Sequence, residues 1–268
     1  MKIGLALSGG AARGIAHIGV LKYLEESNVK PALMAGTSAG SIVASLYSAG
    51  KTIEEIEQIA RKLSWKDLVT LSLPRKGLIN SSKLLVMLKE YLGGTTFEDL
   101  KIPLAINAVD LLSGEEIIIE DGLVSEAVQA SCSIPGIFTP VKWKDKMLVD
   151  GGLLDNVPAA LLKERNLDYI IAVDVGAQKP LSTEPDSIFE ILIQAFDIIQ
   201  RQRDKSAHDI ADIMIEPELG DITMWDIKRV DLIMERGYEA AQKMLGNIDL
   251  EKKQSSIARW FSKRKNRR

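Results

Sequence analysis

The sequence predicts an α/β domain, and three observations carry that prediction. Short apolar runs that read as buried strands alternate with segments of helical period. A G-x-S-x-G sequence, Gly36-Thr37-Ser38-Ala39-Gly40, falls between one such run and one such helix. No internal repeat and no long linker divides residues 1–250. At 268 residues, 46% apolar and 26% charged, the chain can bury a substantial core, which excludes disorder for most of it.

Ile3–Leu7 reads as the first strand, and Ile15, Ile18, Leu21 and Leu24 mark one face of the following helix. Leu33–Ala35 is a short strand that runs into Gly36, after which Ile42, Val43 and Leu46 suit a buried helix. Thr52-Ile53-Glu54-Glu55 is a capping box opening another. Residues 63–80 are less regular. Trp65, Leu68, Val69, Leu71, Leu73 and Leu78 form a broken apolar segment there, which reads equally as a lid or as packing under a loop. Ile102–Val109 and Glu115–Glu120 have strand character, with the turn signal Ser113-Gly114 between them, and suggest a hairpin. Its acids Glu115, Glu116, Glu120 and Asp121 read as a solvated strand and turn, with metal binding as the alternative. Met147–Val149 leads into Asp150-Gly151-Gly152, and Asn156 is placed to cap a helix with Val157-Pro158 in its first turn. Asp168–Val175 is a further buried strand. A helix from Ser187 is expected to bury Ile188, Ile191, Leu192, Ala195 and Ile199, and another covers about 228–245.

Composition narrows the function. The formal charge of −3 argues against a nucleic-acid partner, which would call for a basic surface. That total divides unevenly: residues 252–268 carry eight cations and no acid, leaving −11 on the rest. Ile257, Trp260 and Phe261 fall at i, i+3 and i+4 among those cations, a pattern suited to an interfacial helix on anionic lipid or simply to a solvated end. The expected organisation is a domain over 1–250 and a basic tail over 251–268. Cys132 is the one cysteine, so no intrachain disulfide or multi-cysteine metal site can form. The start of the chain does not read as a signal peptide, because Gly9, Gly10 and Arg13 interrupt its apolar run. The longest uncharged stretch, Pro31 to Gly50, is too polar and broken for a membrane span. The expected location is the cytoplasm, with the tail as a candidate contact to the inner face of an anionic membrane.

The G-x-S-x-G spacing has a steric cause. A serine in a sharp strained turn brings the residues two before and two after it together, so both must lack bulk. Upstream, the first strand empties into Ser8-Gly9-Gly10-Ala11-Ala12-Arg13-Gly14, whose small residues leave backbone N–H groups uncovered. Such donors can form an oxyanion hole. Neither a dinucleotide fingerprint nor a Walker pattern is met. Asp150, ending a strand before Gly151 and Gly152, is the candidate base.

Four segments together resemble a bacterial member of the patatin-like phospholipase family: Leu7–Leu21, Gly36–Gly40, Ala130–Phe138 and Val149–Pro158. With Val173-Asp174-Val175 they span residues 1 to about 176 in family order. The resemblance implies a single three-layer α/β/α domain around a mainly parallel sheet. It implies a Ser38–Asp150 dyad that hydrolyses lipid acyl esters of the phospholipid or lysophospholipid class, with the amides around Gly10 and Ala11, within Gly9, Gly10, Ala11, Ala12, Arg13 and Gly14, as oxyanion hole. No metal or organic cofactor is implied. The family usually has a third Gly where this chain has Ala11, so a positive φ there would be strained.

A His-dependent esterase or acyltransferase is the alternative enzyme, and a non-catalytic lipid-binding regulator the alternative from another class. His17 reads as a core-edge histidine and His208 as part of a solvated face. Arg13 has two readings, a partner for a lipid phosphate or for a carboxylate that fixes the glycine loop. Asp110 and Asp174 end strands and are assigned no chemistry.

Overall fold

The computed structural model describes residues 1–64, 70–71, 79–80, 82–176, 188–203, 205–223 and 225–246. The basic tail lies outside these residues, as does most of the apolar segment around Trp65 and Leu73. In chain order the elements are β1 (Ile3–Leu7), α1 (Ala16–Glu26), β2 (Pro31–Gly36), α2 (Ala39–Ser48), α3 (Ile53–Lys62), β3 (Thr70–Leu71), β4 (Ile79–Asn80), α4 (Ser82–Leu92), β5 (Leu104–Asp110) and β6 (Glu116–Ile119). There follow α5 (Val124–Ser131), β7 (Val141–Trp143), β8 (Lys146–Asp150), β9 (Tyr169–Val173), α6 (Ile188–Arg203), α7 (Lys205–Ile210), β10 (Ile213–Ile215) and α8 (Val230–Leu245).

The main sheet runs β10-β9-β1-β2-β5-β8-β7, with β6 also on β5. The β10, β9, β1, β2 and β5 strands are mutually parallel, and β6, β7 and β8 add antiparallel pairs. Strand alternation sorts the two faces. Leu5, Leu7, Met34, Ile106, Ile171 and Val173 point into a large core beneath α1 to α5 and α8. Ala6, Ala35, Ala105 and Ala172 point the other way, and their small side chains admit a thin cover made by residues 157–162 and α7. This is the expected three-layer α/β/α arrangement with one slender layer.

Local rules account for several elements. In the Thr52–Glu55 capping box, Glu55 N–H donates to Thr52 Oγ1 at 3.2 Å and Thr52 N–H to Glu55 Oε2 at 2.9 Å. The β5–β6 hairpin forms as expected. Helix α1 meets α8 closely because Gly19 and Gly237 stand at the crossing, where a Cβ on either would strike a carbonyl oxygen of the other helix.

Two expectations fail. Asn156 caps no α-helix; the segment after it makes a single 3-10 turn at Ala160–Leu162. On α6, Ile193, Phe196 and Gln200 are buried, while Ile191, Leu192 and Ile199 are exposed. The helix is apolar on two sides. Its orientation is set by Asp197, which turns inward to Arg13 at 2.8 Å.

One detail of register positions the functional site. Gly36 at the end of β2 lies opposite Ile106, and Asp150 at the end of β8 lies opposite Ala108. Because β6 pairs with both Ile106 and Ala108 along one edge of β5, β2 and β8 share the other edge. They run toward each other and stop two residues apart, so the residues that leave their ends must meet.

Candidate active site

Ser38 leaves β2 at φ 49° and ψ −122°, a conformation that costs a non-glycine residue on the order of 1–3 kcal/mol. Surrounding contacts hold it. Ser38 N–H donates to Ser131 Oγ at 2.8 Å, and Ser38 C=O accepts from the Ser41 hydroxyl at 2.6 Å. The preceding Thr37 gives its N–H to Leu7 C=O at 3.1 Å and its hydroxyl to Asn107 Oδ1 at 2.8 Å. A Cβ on Gly36 would lie 2.7 Å from Ser41 Cα, and one on Gly40 would strike the Leu7 carbonyl. The two flanking glycines are therefore required by sterics, as the spacing implied.

Asp150 leaves β8 beside this turn. Its N–H donates to Ser133 C=O at 2.9 Å and its Oδ1 accepts Gly152 N–H at 2.8 Å. The other carboxylate oxygen is buried and has no hydrogen bond of full geometry. Burial pushes the carboxyl up to about 7, against the opposing pull of the Gly152 N–H and the Ser38 side chain close by. Ser38 and Asp150 are thus adjacent, in a setting that keeps the acid near neutrality at physiological pH.

The glycine loop lies on the other side of Ser38: a Cβ on Gly9 would sit 3.2 Å from Ser38 Cβ. Of the six loop residues expected to form an oxyanion hole, Gly9 and Arg13 have amides already committed, to Asn156 C=O and Gly10 C=O at 3.1 Å each. Gly14 belongs to the 3-10 turn Ala11–Ile15, with Ala39 against its Cα. The N–H groups of Gly10, Ala11 and Ala12 donate to no backbone carbonyl among the described residues. Ala11 has φ 48°, the strained value foreseen for a residue in that place. Gly151 is pressed against Asn107, backbone included, so it has no room for a side chain, whereas a Cβ on Gly152 would meet the movable end of Gln200.

The histidines stand apart from this pair. His17 is fully buried with Nε2 2.8 Å from Ser8 C=O, and burial lowers it to about 4, so it is neutral. His208 faces Glu216, with its side chain 45% exposed. Arg13 pairs with a carboxylate, Asp197, in a buried contact. Cys132 is buried beside Ser38 and Ser41, and burial together with the Asp150 charge pushes its thiol up, which makes it a poor nucleophile.

An apolar pocket of about 140 Å³ opens from Ser38 and Ala11 and runs between α1, α2 and α3, lined by Ile15, Ile42, Leu46, Ile56, Ile59 and Phe138 among others. No helix among the described residues is long and apolar enough to cross a membrane.

Sequence reasoning missed Ser131, Asn107, Asp197 and Gln200. Ser131 lies within the Ala130–Phe138 segment, yet nothing local marks its hydroxyl as the acceptor for Ser38.

With this geometry in place, comparison with known proteins decides the family. Residues 5–163 match the family model for patatin-like phospholipases. The chain belongs to the patatin-like phospholipase family. An uncharacterized NTE family protein of Mycobacterium tuberculosis is 30% identical over 91% of this chain and 46% of its own length. A protein named lysophospholipase NTE1 from Scheffersomyces stipitis is 34% identical over 65% of this chain and 12% of its own. The chain thus spans about half the length of the mycobacterial relative and a small part of the fungal one. Among solved structures, VipD of Legionella pneumophila aligns with a TM-score of 0.63 at 15% identity, over 92% of this chain and 67% of that one. The type III effector protein ExoU aligns at 0.52 and 14% identity, over 92% and 53%. Both share the patatin-like fold.

Proposed function

We propose that the protein is a serine acyl-ester hydrolase acting on phospholipids or lysophospholipids, with Ser38 as nucleophile and Asp150 as general base. The observation that carries this reading is the meeting of a strained, buried serine and a buried carboxyl of raised pKa at the mouth of an apolar pocket. Asp150 accepts the Ser38 proton as the hydroxyl attacks the ester carbonyl, returns it to the leaving group, and then activates the water that releases the acyl chain. A carboxyl near 7 is a far better base at neutral pH than an exposed aspartate. The Gly10, Ala11 and Ala12 amides stabilise the oxyanion, the N-terminus of α2 favours negative charge at Ser38, and the pocket takes the acyl chain. Neither histidine is needed. The family membership and the name of the fungal relative support a lipid ester as substrate.

Fluorophosphonate labelling, together with fatty-acid release from a panel of phospholipids and lysophospholipids, tests the reading. Labelling and release are expected in the wild type, in His17→Gln and in His208→Ala, and both are lost in Ser38→Ala. Folded wild-type protein that neither labels nor releases fatty acid would leave a binding module instead.

A further inference from the structure

Away from Ser38, the ends of two neighbouring strands and a short helix gather three side chains able to ligate a metal. Asp174 follows β9, Glu216 follows β10, and His208 stands on α7. One ligand atom from each lies within 4.8 Å of the others.

The distances favour a cation over a simple ion pair. His208 Nε2 and Glu216 Oε1 are 3.5 Å apart, long for a hydrogen bond. Two ligands held at about 2.1 Å from Zn²⁺ in tetrahedral geometry are about 3.4 Å apart. The ligand atoms of the trio all lie within 4.8 Å of one another, at most about 1.4 Å wider than that spacing. His208 and Glu216, with side chains 45% and 44% exposed, have the freedom to close it. Asp174 is the fixed member: it is buried, Oδ1 accepts Gly176 N–H at 2.7 Å, and its own N–H donates to Ile215 C=O at 2.9 Å.

Charge points the same way. Two carboxylate side chains face one imidazole here, a set of donors that a dication would offset. One imidazole with two carboxylates suits Zn²⁺ better than Mg²⁺ or Ca²⁺.

We propose that Asp174, His208 and Glu216 form a Zn²⁺-class divalent cation site that clamps β9, β10 and α7 together. It departs from the expectation that the chain implies no metal, and it is independent of the hydrolase reading. Val175, next to Asp174, packs on Gly10 and donates its N–H to Ser8 Oγ at 3.0 Å, so the glycine loop is tied to β9 without the two exposed ligands.

Untagged full-length protein, stripped with EDTA and dialysed, is titrated with ZnCl₂, MgCl₂ and CaCl₂ by calorimetry and followed by thermal melting. The chain helps the test, since its other zinc-seeking side chains, His17 and Cys132, are buried. One Zn²⁺ per chain is expected to bind and raise Tm, with weaker response to the other two ions. His208→Ala and Glu216→Gln, both at exposed side chains, are each expected to weaken Zn²⁺ binding at least about tenfold while keeping fluorophosphonate labelling at the wild-type level. Absence of saturable Zn²⁺ binding would overturn the proposal, as would binding that both variants leave unchanged or an equal response to all three ions.

Discussion

Replacing Asp150 by Asn separates stability from activity in a way that the burial of this carboxyl makes quantitative. Its proton affinity rises from an ordinary 3.8 to about 7 on folding. At about 1.4 kcal/mol per pH unit, ionising Asp150 in the folded protein costs on the order of 4 kcal/mol. The sign follows from the raised value: the neutral carboxyl is tolerated below about pH 4, and the stability it permits is lost as pH rises to about 7. Asn has no charge to lose. Its Oδ1 keeps the Gly152 N–H, but its buried amide costs about 1–3 kcal/mol of its own at every pH. Asp150→Asn is therefore expected to be less stable than wild type near pH 4 and more stable at pH 8, where its Tm should be several degrees higher. Urea unfolding at intervals across that range reads the crossing. Ester hydrolysis supplies the second half: wild-type kcat/KM rises with pH through about 7, and the variant shows no such rise because its turnover is lost. Parallel stability curves for the two proteins would refute the raised carboxyl, and wild-type-like turnover in the variant would refute its role as base.

Two further substitutions test the frame around the site. Ser131→Ala removes the acceptor of the buried Ser38 N–H and is expected to cost about 1–3 kcal/mol in urea unfolding and to lower kcat; unchanged stability would remove Ser131 from the support of the turn. Ala11→Gly relieves a positive φ and is expected to raise stability by up to about 1 kcal/mol in the same measurement, whereas a loss would show that the alanine methyl matters more than the strain.

The central strands were legible because a strand buried on both faces is a continuous apolar run, as in Ile3–Leu7 and Tyr169–Val173. The edge strands Val141–Trp143 and Ile213–Ile215 have three residues each, too few to establish a period. Gly36 and Gly40 were legible as spacing because the sharp turn at Ser38 presses Ser41 onto Gly36 and the Leu7 carbonyl onto Gly40. What stayed hidden was decided by partners far along the chain. The inward face of α6 depends on Arg13 reaching Asp197, and the Thr37 turn depends on Asn107. The free amides of the glycine loop could be told from the committed ones only once Asn156 C=O stood opposite Gly9.

The two strands that stop short of each other along β5 also act as an interlock during synthesis. Residues 1–48 leave the ribosome before residues 131–150 and contain the whole serine turn, yet Ser38 then has neither Asp150 nor the Ser131 hydroxyl that fixes its backbone. Both arrive more than eighty residues later, and β8 can reach its place only after β5 has docked on β2. A half-made chain therefore holds Ser38 without Asp150 beside it, and under the proposed mechanism the pair could act only once the sheet is complete.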